Sequence, residues 1–495
     1  MVFASAAYGD APPDTRLIAQ GGFGDRHNGY AWSMAWFKGR LYVGTARDPL
    51  CVERATMAFY FPAAGLYQPR PARDIRCPST IHAGDLRAEI WRYDPRGRRW
   101  THVYRSPRVA NPRAPGRVIA RDIGYRGMVV LKEPGRPAAL YIAGLTAGEF
   151  VPELARRYPP RILRTTDGER FRALRGSPGV IRGPAGVQRP VGYRAMAALH
   201  GELYVTASAG LTGDGVVLRV RRPGGPSPRF GQVSPAGLAV FELEAFDGRL
   251  YAGTGNSREG YGVWRIGGGP RPEWAPVVTG GAGRGPTITS VVSMETYRGR
   301  LYVGSSGWGT SLSPASELIR IAADGRWEVV AGDARDADGI RRTPISGLRD
   351  GFGNAFNMHF WRMQAYRGAL LLGTNDWSWS LRDIPALDER IRSGFGFDLY
   401  ATCDGTHWWA ATRDGFGNGT TGFGVRTMAA SPAGLFIGTT DHVRGAAVYR
   451  SRRPPCAGRK RMWPAELAAG AAPLNLRRAA ATLRARAHDE RMTVR

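Results

Sequence analysis

The chain has 495 residues, too many for one simple layered core, so it forms either several domains or one large repeat architecture. Its 67 glycines and 35 prolines favour an all-β protein with many turns over a helical one. The net charge of +28 is carried almost entirely by arginines spread along the chain, a distribution that does not favour a nucleic-acid partner. No apolar run approaches the roughly 20 residues that span a bilayer.

The four cysteines do not identify the cellular compartment, because the sequence does not show whether they form disulfides. Cys51 and Cys77 share one long insertion and can staple it, whereas Cys403 and Cys456 lie on neighbouring repeats, so the disulfide state stays open. None has the spacing of a zinc site, and we expect no metal. The first residues are small, as in a signal-peptide cleavage region, but lack an adequate apolar core, so a secreted or periplasmic location is only slightly favoured.

A short phrase, "GRLYVGT", recurs along the chain and defines seven repeats. Its copies fall at residues 39–45, 139–144, 201–207, 248–254, 299–305, 368–374 and 433–439. Each is preceded by another strand-like segment, at 32–37, 126–131, 194–199, 241–246, 292–297, 361–366 and 426–431. A short glycine-containing turn joins the two segments, which predicts a tight β-hairpin in every repeat.

Third and fourth strands follow in most repeats, as in "IWRYDPRGRRW" at 90–100 and "LYATCDGTHWW" at 399–409. Four antiparallel strands in each of seven repeats predict an all-β fold, a seven-bladed β-propeller. We assign residues 1–14 to an N-terminal segment, 15–455 to the propeller with an insertion at 46–88, and 456–495 to a basic helical tail.

Two features carry a family resemblance. The turns "TTDGERF" (165–171) and "TCDGTHW" (402–408) resemble the Asp-box hairpin of sialidase-like propellers. The stretch "GFGDRHNGYAWSMAWFKGRLYVGT", with "AEIWRYDPRGRRW", resembles a group of uncharacterised bacterial propeller proteins over about residues 15–450. This resemblance implies the fold, and in Asp-box turns a structural aspartate, but implies little about activity.

The last repeat lacks a fourth strand of its own. The N-terminal "TRLIAQGGFGD" (15–25) aligns with "WWAATRDGFGN" (408–418), so we expect the first strand to complete the last blade. The three Gly-Phe-Gly junctions, at residues 21, 350 and 414, then join blades 7 to 1, 5 to 6 and 6 to 7. The long loops at 46–88, 145–160 and 375–396 all follow a second strand, which places function on that face.

Arginines recur where the first strand of each repeat begins. Because innermost strands line the axial channel of a propeller, we expect these side chains to meet at one opening. The candidate anion-binding arginines are Arg126, Arg194, Arg362 and Arg426, with Trp32 and Trp361 at matching positions. The alternative is that these arginines pack between blades. The aromatic loops "SGWGT" (306–310) and "NDWSWS" (375–380) can stack on sugar rings or form loop cores.

Two histidines precede innermost strands, His27 on blade 1 and His359 on blade 6. With Asp25, Asn28, Asn354 and Asn357 nearby they suit a metal or a polar ligand, or they cap loop backbone. A four-histidine iron centre is not expected, because it needs an axial histidine from each of four blades. The sequence identifies no cofactor.

Three functional hypotheses remain open. The first is a propeller that binds an anionic small molecule or a carbohydrate at the axial mouth. The second is a hydrolase or lyase there, because Glu242, Asp122 and Tyr193 supply the residue types of a sialidase site, although the Phe/Tyr-Arg-Ile-Pro motif is missing. The third is an interaction scaffold, whose protein partner binds the blade-1 insertion or the C-terminal tail.

Overall fold

The computed structural model describes residues 15–60, 75, 77–183, 185–210, 215–269, 272–307, 315–383, 392–417 and 421–456. This part of the protein is mostly antiparallel β-structure, as predicted, with two α-helices, α1 (Pro49–Tyr60) and α2 (Pro152–Arg157). Within it, no helix is long and apolar enough to cross a bilayer. The proposed N-terminal segment and almost all of the C-terminal tail lie outside the described residues.

Each of the seven repeats forms the predicted hairpin from its first two strands. The first strands are β2 (Tyr30–Phe37), β8 (Asp122–Leu131), β14 (Gly192–Leu199), β18 (Val240–Phe246), β22 (Ile288–Tyr297), β28 (Asn357–Tyr366) and β32 (Gly422–Ser431). Their partners are β3 (Arg40–Ala46), β9 (Ala139–Thr146), β15 (Glu202–Ser208), β19 (Arg249–Thr254), β23 (Arg300–Gly307), β29 (Ala369–Asp376) and β33 (Gly434–Asp441).

A third strand pairs with the second, and a fourth pairs with the third. The third strands are β4 (Glu89–Asp94), β10 (Ile162–Thr165), β16 (Val216–Arg221), β20 (Val263–Ile266), β24 (Leu318–Ile321), β30 (Leu399–Thr402) and β34 (Val448–Ser451). The fourth strands of the first six repeats are β5 (Arg99–Arg105), β11 (Arg172–Ala173), β17 (Arg229–Gln232), β21 (Trp274–Val278), β25 (Trp327–Ala331) and β31 (Trp408–Thr412). In the seventh repeat, the N-terminal strand β1 (Thr15–Ala19) pairs with β34.

Three small additional hairpins lie outside the four-stranded repeats. They pair β6 (Arg108–Ala110) with β7 (Val118–Ala120), β12 (Ile181–Gly183) with β13 (Gly186–Gln188), and β26 (Arg335–Ala337) with β27 (Ile340–Arg342). The helix α1 lies between β3 and β4 and α2 between β9 and β10, so both belong to long loops that follow a second strand.

In five of the seven repeats, the glycine of the "YVGT" phrase lies against the next repeat, whereas repeats 2 and 3 carry Ala143 and Thr206 at that position. A Cβ on Gly44 would stand 2.7 Å from the Tyr125 Cβ of the next repeat, and one on Gly373 would stand 2.3 Å from the Val425 Cβ. Only glycine permits this approach. The contacts return to the start, because the second strand of repeat 7 bridges the first strand of repeat 1 at Thr440 and Tyr30.

The Gly-Phe-Gly junctions hold a phenylalanine in the left-handed region, with φ of 64° at Phe23, 55° at Phe352 and 62° at Phe416. That conformation costs about 1–2 kcal/mol for a residue with a side chain. Aromatic packing offsets the cost: the Phe352 ring centroid lies 4.3 Å from that of Tyr400 and 5.2 Å from that of Trp408.

A fourth junction of this kind was not predicted. The segment Gly280–Gly283 has the same geometry, with φ of 59° at Gly281 and 53° at Ala282. Alanine stands there in place of phenylalanine, so the Gly-Phe-Gly signature is missing from the sequence. This junction joins repeats 4 and 5. Together with the three predicted junctions, it makes four consecutive junctions of the same geometry, from repeat 4 through repeat 7 to repeat 1.

Both cysteine pairs that the sequence left open are disulfide-bonded, Cys51 to Cys77 and Cys403 to Cys456. The first ties α1 to a later part of the same loop. The second ties the end of β30 in repeat 6 to the chain beyond β34 in repeat 7.

Asp167 and Asp404 cap tight turns. Asp167 Oδ1 accepts hydrogen bonds from the backbone N–H groups of Glu169 and Arg170, at 2.9 and 2.8 Å. Asp404 Oδ1 accepts them from the two residues at the same offsets, also at 2.9 and 2.8 Å. Both carboxylates therefore support turn geometry, which is the structural role implied by their surroundings.

Candidate functional site

The seven first strands share one irregularity. In each, the pairing with the second strand shifts register at the same point of the repeat, and the residue at that point has no partner across the hairpin. These residues are Trp32, Arg126, Arg194, Phe241, Val292, Trp361 and Arg426. Such β-bulges re-aim a side chain relative to its strand, and here they act on the predicted arginine and tryptophan positions.

Three of the bulge arginines stack on bulge aromatics of an adjacent repeat. The distances from guanidinium carbon to ring centroid are 5.1 Å for Arg126 over Trp32, 4.8 Å for Arg426 over Trp361 and 5.0 Å for Arg194 over Phe241. A cation over a ring face is attracted by the ring's electrons, and the flat contact limits how the arginine moves. The stacks therefore hold three guanidinium groups in fixed orientations.

Glycines of adjacent repeats make room for the aromatic rings. A Cβ on Gly124 would stand 2.1 Å from Trp32 Cζ3, and one on Gly424 would stand 2.5 Å from Trp361 Cζ3. Each of these glycines lies two residues before an arginine of the stack, in "GYR" and "GVR". One short motif thus supplies both the space for the ring and the cation above it.

Four of the bulge side chains, Trp32, Arg126, Arg194 and Arg426, line a small cavity of about 80 Å³, which we call the central cavity. Its charged lining side chains are Arg126, Arg194, Arg362, Arg426, Glu242 and Glu244. The four predicted arginines therefore do line one opening. Arg194 is paired there, with Nη2 3.3 Å from Glu242 Oε1. The Nε atoms of the other three are buried and have no hydrogen-bond partner among the described residues.

Burial and mutual repulsion weaken the hold of these arginines on their protons. Burial and, to a smaller extent, the charge of Arg194 lower the pKa of Arg426 to about 9. Burial, with the charges of Arg194 and Arg426, places the pKa of Arg126 well below its ordinary value. Both shifts reflect positive charge that the surrounding carboxylates do not balance.

Carboxyl groups lie next to the arginines. Burial and the neighbouring Glu295 raise the pKa of Glu244 well above its usual range, and burial raises the pKa of Glu295 to about 7. Glu295 accepts hydrogen bonds from the Ala365 N–H at 2.9 Å and from Gln364 Nε2 at 3.2 Å. Glu295, with a pKa of about 7, is partly protonated at neutral pH, so it offsets less of the positive charge.

Sequence reasoning missed Glu244 and Glu295. A signal was present, because both follow the methionine-like position of a first strand, in "ELE" and "SMET", where most repeats carry a small or apolar residue. Glu149 was also missed. It lies in the loop after β9, and burial raises its pKa to about 7 against the opposing charge of Arg126.

An aromatic cluster adjoins the stacked arginines. Tyr30 contacts the rings of Trp32 and Trp361, with centroids 5.8 and 6.1 Å apart. Phe423 stacks on Trp379, from the predicted aromatic loop, at 5.3 Å. This cluster offers ring faces beside the cationic opening. The tryptophan of the other predicted aromatic loop, residues 306–310, lies outside the described residues.

Two predicted catalytic residues do not line the central cavity. Asp122 is fully buried and forms an ion pair with Arg161, whose Nη2 lies 2.5 Å from Asp122 Oδ2. Tyr193 is also buried and packs among apolar side chains such as Leu131 and Leu203. Tyr193 lies just before the bulge and therefore faces the sheet interior rather than the opening. The predicted trio is not assembled at the cavity; only Glu242 lies there.

The two predicted histidines are separated from each other. His27 lies in a different, very small recess, where its Nδ1 is 2.7 Å from Asp48 Oδ1. His359 belongs to β28 itself, and its ring lies 5.8 Å from that of Trp361. Burial, with the charges of Arg426 and Arg194, lowers the pKa of His359 to about 3, so it is neutral at physiological pH.

A larger, open cavity of about 500 Å³ lies elsewhere, between the outer strands of repeats 2 and 3. Arginines line it too, but they have partners: Arg170 Nε is 2.7 Å from Asp167 Oδ2, and Arg164 Nε donates to the Tyr141 hydroxyl at 3.1 Å. Size alone does not make a site. The central cavity differs from this one because three of its arginines have buried Nε atoms without a partner among the described residues.

No protein-family model matches the chain, and no curated protein matches it significantly. Among solved structures, the polysaccharide lyase Uly1 has 9% identity and a TM-score of 0.46, covering 85% of this chain and 89% of its own. A puromycin hydrolase has 12% identity and a TM-score of 0.45, covering 95% and 58%. A neuraminidase-like protein from A/bat/Guatemala has 10% identity and a TM-score of 0.34, covering 68% and 90%. These similarities assign no activity to the chain.

Proposed function

We propose that the seven repeats form one closed, seven-bladed β-propeller with the central cavity on its axis. The order of contacts supports this arrangement: each first strand lies against the first strand of the next repeat, and β32 of repeat 7 lies against β2 of repeat 1. The pairing of β1 with β34 supplies a fourth strand to the last repeat. Closure of this kind leaves no exposed edge at the junction of first and last blades.

We propose that the central cavity binds the anionic group of a small molecule or an acidic glycan. One observation carries the proposal: three arginines, Arg126, Arg362 and Arg426, line one cavity with buried Nε atoms that have no partner among the described residues. A buried donor without an acceptor is costly, and a guanidinium fork pairs well with a carboxylate, phosphate or sulfate. An anion would supply the missing acceptors and the missing negative charge.

The size of the cavity limits what enters it. A space of about 80 Å³ is well below the 300–1,000 Å³ of sites that enclose a drug-sized ligand. We therefore expect the acidic group to enter, while the rest of the ligand stays outside. The adjoining aromatic cluster, with Trp379, is the surface on which a sugar ring would stack.

Binding without chemistry has more support than catalysis. Of the three predicted catalytic residues, Glu242 alone lines the cavity, and its carboxylate is held by Arg194. A hydrolase or lyase that uses all three is therefore not proposed. The scaffold hypothesis stays a prediction, because much of the blade-1 insertion and almost all of the tail lie outside the described residues.

Two disulfides suggest where the protein works. All four cysteines are bonded in pairs. Because disulfides persist in oxidising compartments, we propose a secreted or periplasmic location.

Titration calorimetry tests the binding proposal. The full chain is titrated with sodium glucuronate, sodium sulfate and, as the neutral match of the first, glucose. We expect binding of the anions alone, weakened at least tenfold in the Arg126→Gln/Arg426→Gln variant. Arg170→Gln, a surface change at a side chain that is 77% exposed, is the control and should bind as the wild type does. Equal binding by the two variants would reject the site.

A further inference from the structure

Repeat 1 contains a buried arginine, Arg47, whose positive charge lies among acidic and amide side chains. Arg47, which is 4% exposed, follows the "YVGT" phrase of β3 and points among three oxygen-bearing side chains. Its Nη1 lies 2.8 Å from Asp25 Oδ2, 3.4 Å from Asn28 Oδ1 and 3.8 Å from Glu89 Oε1. The buried guanidinium thus offsets the charge of two carboxylates, of which Asp25 is 36% exposed, and satisfies the Asn28 oxygen.

Repeat 6 builds the same site from equivalent positions. Asn357 Nδ2 donates to the Gly351 carbonyl at 2.9 Å and to Asp398 Oδ2 at 2.7 Å. In repeat 1, Asn28 Nδ2 makes the same two contacts, with Gly22 at 2.9 Å and with Glu89 at 2.8 Å. Asn357 and Asp398 therefore correspond to Asn28 and Glu89.

The arginine is replaced in repeat 6. The phrase "GTAR", which ends at Arg47, becomes "GTND", which ends at Asp376. Asp376 and Asp398 are 1% and 0% exposed, and both Oδ2 atoms contact one Asn354 Nδ2, at 2.8 and 3.1 Å. In repeat 6, two buried carboxylates thus share one amide group. In repeat 1, the cation Arg47 contacts two carboxylates, those of Asp25 and Glu89. Among the described residues, no arginine or lysine donates a hydrogen bond to either carboxylate.

Oxygen atoms around this pair lack partners. Asn357 Oδ1, Asp398 Oδ1 and Ser378 Oγ are buried without any hydrogen bond to the described residues, and the three side chains are at most 2% exposed. Asn357 Oδ1 is the atom whose equivalent in repeat 1 faces Arg47 Nη1. The comparison shows what is missing, namely a positive charge at the position of the Arg47 guanidinium.

The remaining acid of this kind has its cation. Glu317 holds the corresponding place in repeat 5, and Arg335 Nη2 lies 2.8 Å from its Oε1. Repeat 6 differs, because its carboxylate faces a second carboxylate and accepts no arginine hydrogen bond among the described residues, and the positive charge that acts on Asp398 is that of Arg413.

We propose that Asp376 and Asp398, with the Asn357 side-chain oxygen, bind a calcium ion in place of an internal arginine. Calcium takes carboxylate, amide and hydroxyl oxygens, and two carboxylates balance its charge. No three His, Cys, Asp or Glu side chains gather as a metal site among the described residues, so this site would rest on two acids and on neutral oxygens. The ion would fix the junction that leads into β28 and its Trp361.

Thermal unfolding of the full chain tests this proposal. After treatment with EDTA and dialysis, we expect calcium chloride to raise the midpoint temperature, with magnesium chloride much less effective, because a ligand of the folded state stabilises it by mass action. Asp376→Asn should lose the calcium response. Asp376→Arg, which restores the residue of repeat 1, should unfold at the calcium-loaded temperature without calcium. Asp324→Asn, at a side chain that is 47% exposed, is the control and should respond as the wild type does.

The outcomes separate cleanly. A calcium response that disappears in Asp376→Asn supports the site, whether or not Asp376→Arg folds. No response in the wild type overturns it and leaves a shared proton as the means by which the two carboxyl groups coexist. A response that persists in Asp376→Asn also overturns it, because the calcium then binds elsewhere.

Discussion

The guanidinium of Arg426 lies 4.8 Å from the centre of the Trp361 ring of the preceding repeat, and Gly424 makes the space for that ring. The relationship links three levels of the molecule. A glycine without a side chain admits the tryptophan, the tryptophan orients the arginine, and the arginine faces the central cavity with its Nε unpaired. Anion binding therefore depends on packing as well as on charge.

Gly424→Ala tests that dependence. An added Cβ would stand 2.5 Å from Trp361 Cζ3, so the ring must move and the arginine above it loses its platform. We expect about fivefold weaker sulfate binding by calorimetry, because about 1 kcal/mol of cation–ring interaction is disturbed. Gly422→Ala is the matched control: it lies in the same strand with open space at its Cβ and should bind normally. Equal affinities for the two variants would contradict the role of the stack.

The pH dependence of anion binding follows from Arg426. Its pKa is about 9, so the free guanidinium loses its proton as the pH rises through that value. Loss of a positive charge weakens anion binding, and so does the negative charge that appears on Glu295, whose pKa is about 7. We therefore expect a modest fall in sulfate affinity near pH 7 and a second, progressive fall above pH 9. Sulfate keeps the same charge over this range, so the protein alone titrates. An affinity that stays constant to pH 10 at fixed ionic strength would show that Arg426 does not contact the anion.

Phe352 anchors the junction between repeats 5 and 6. Its truncation to alanine should leave the backbone turn intact, because the fourth junction already holds Ala282 in the same left-handed conformation. The lost packing against Tyr400 and Trp408 should lower the free energy of unfolding by about 3–5 kcal/mol, measured by urea denaturation. Val118→Ala, at a residue that is 52% exposed, should cost little. A small loss for Phe352→Ala would mean that the turn is held by its backbone alone.

The two disulfides should differ in their effect on stability. Cys403–Cys456 spans 53 residues and ties repeat 6 to the end of repeat 7, whereas Cys51–Cys77 spans 26 residues within one loop. Replacing Cys403 and Cys456 by serine should lower the free energy of unfolding by about 4 kcal/mol, from the loop length that the bond closes. The Cys51→Ser/Cys77→Ser variant should lose less. The reverse order would indicate that the loop, not the tie between repeats, limits unfolding.

Much of the fold was readable from the sequence because the repeats encode it locally. The "LY" phrase with its preceding strand and turn predicted every hairpin, and the N-terminal strand was correctly matched to the last repeat. The arginines Arg126, Arg194, Arg362 and Arg426 were found by counting from the methionine-like position of each repeat. Three of them, Arg126, Arg194 and Arg426, stand at the bulge position of their first strand, and Arg362 is the residue after that position.

What the sequence did not show depends on three-dimensional pairing. Asp122 and Tyr193 are close to arginines along the chain, but strand alternation turns them away from the opening. The register shift that turns the arginine side chains toward the central cavity is not marked by any particular residue type in the sequence. Asp376 is identified as the counterpart of Arg47 by the matching hydrogen bonds of Asn28 and Asn357, which the sequence does not show.

The most direct test of the central claim is a crystal structure of the protein soaked in sodium selenate, with the anion located by the anomalous signal of selenium. Selenate matches sulfate in shape and charge, so it reports an anion site independently of any assumed ligand. We predict a selenate ion in the central cavity, within hydrogen-bonding distance of Arg126, Arg362 or Arg426, and its absence from the Arg126→Gln/Arg426→Gln variant. Selenate bound only at surface arginines such as Arg170, with the central cavity empty of it, would contradict the account.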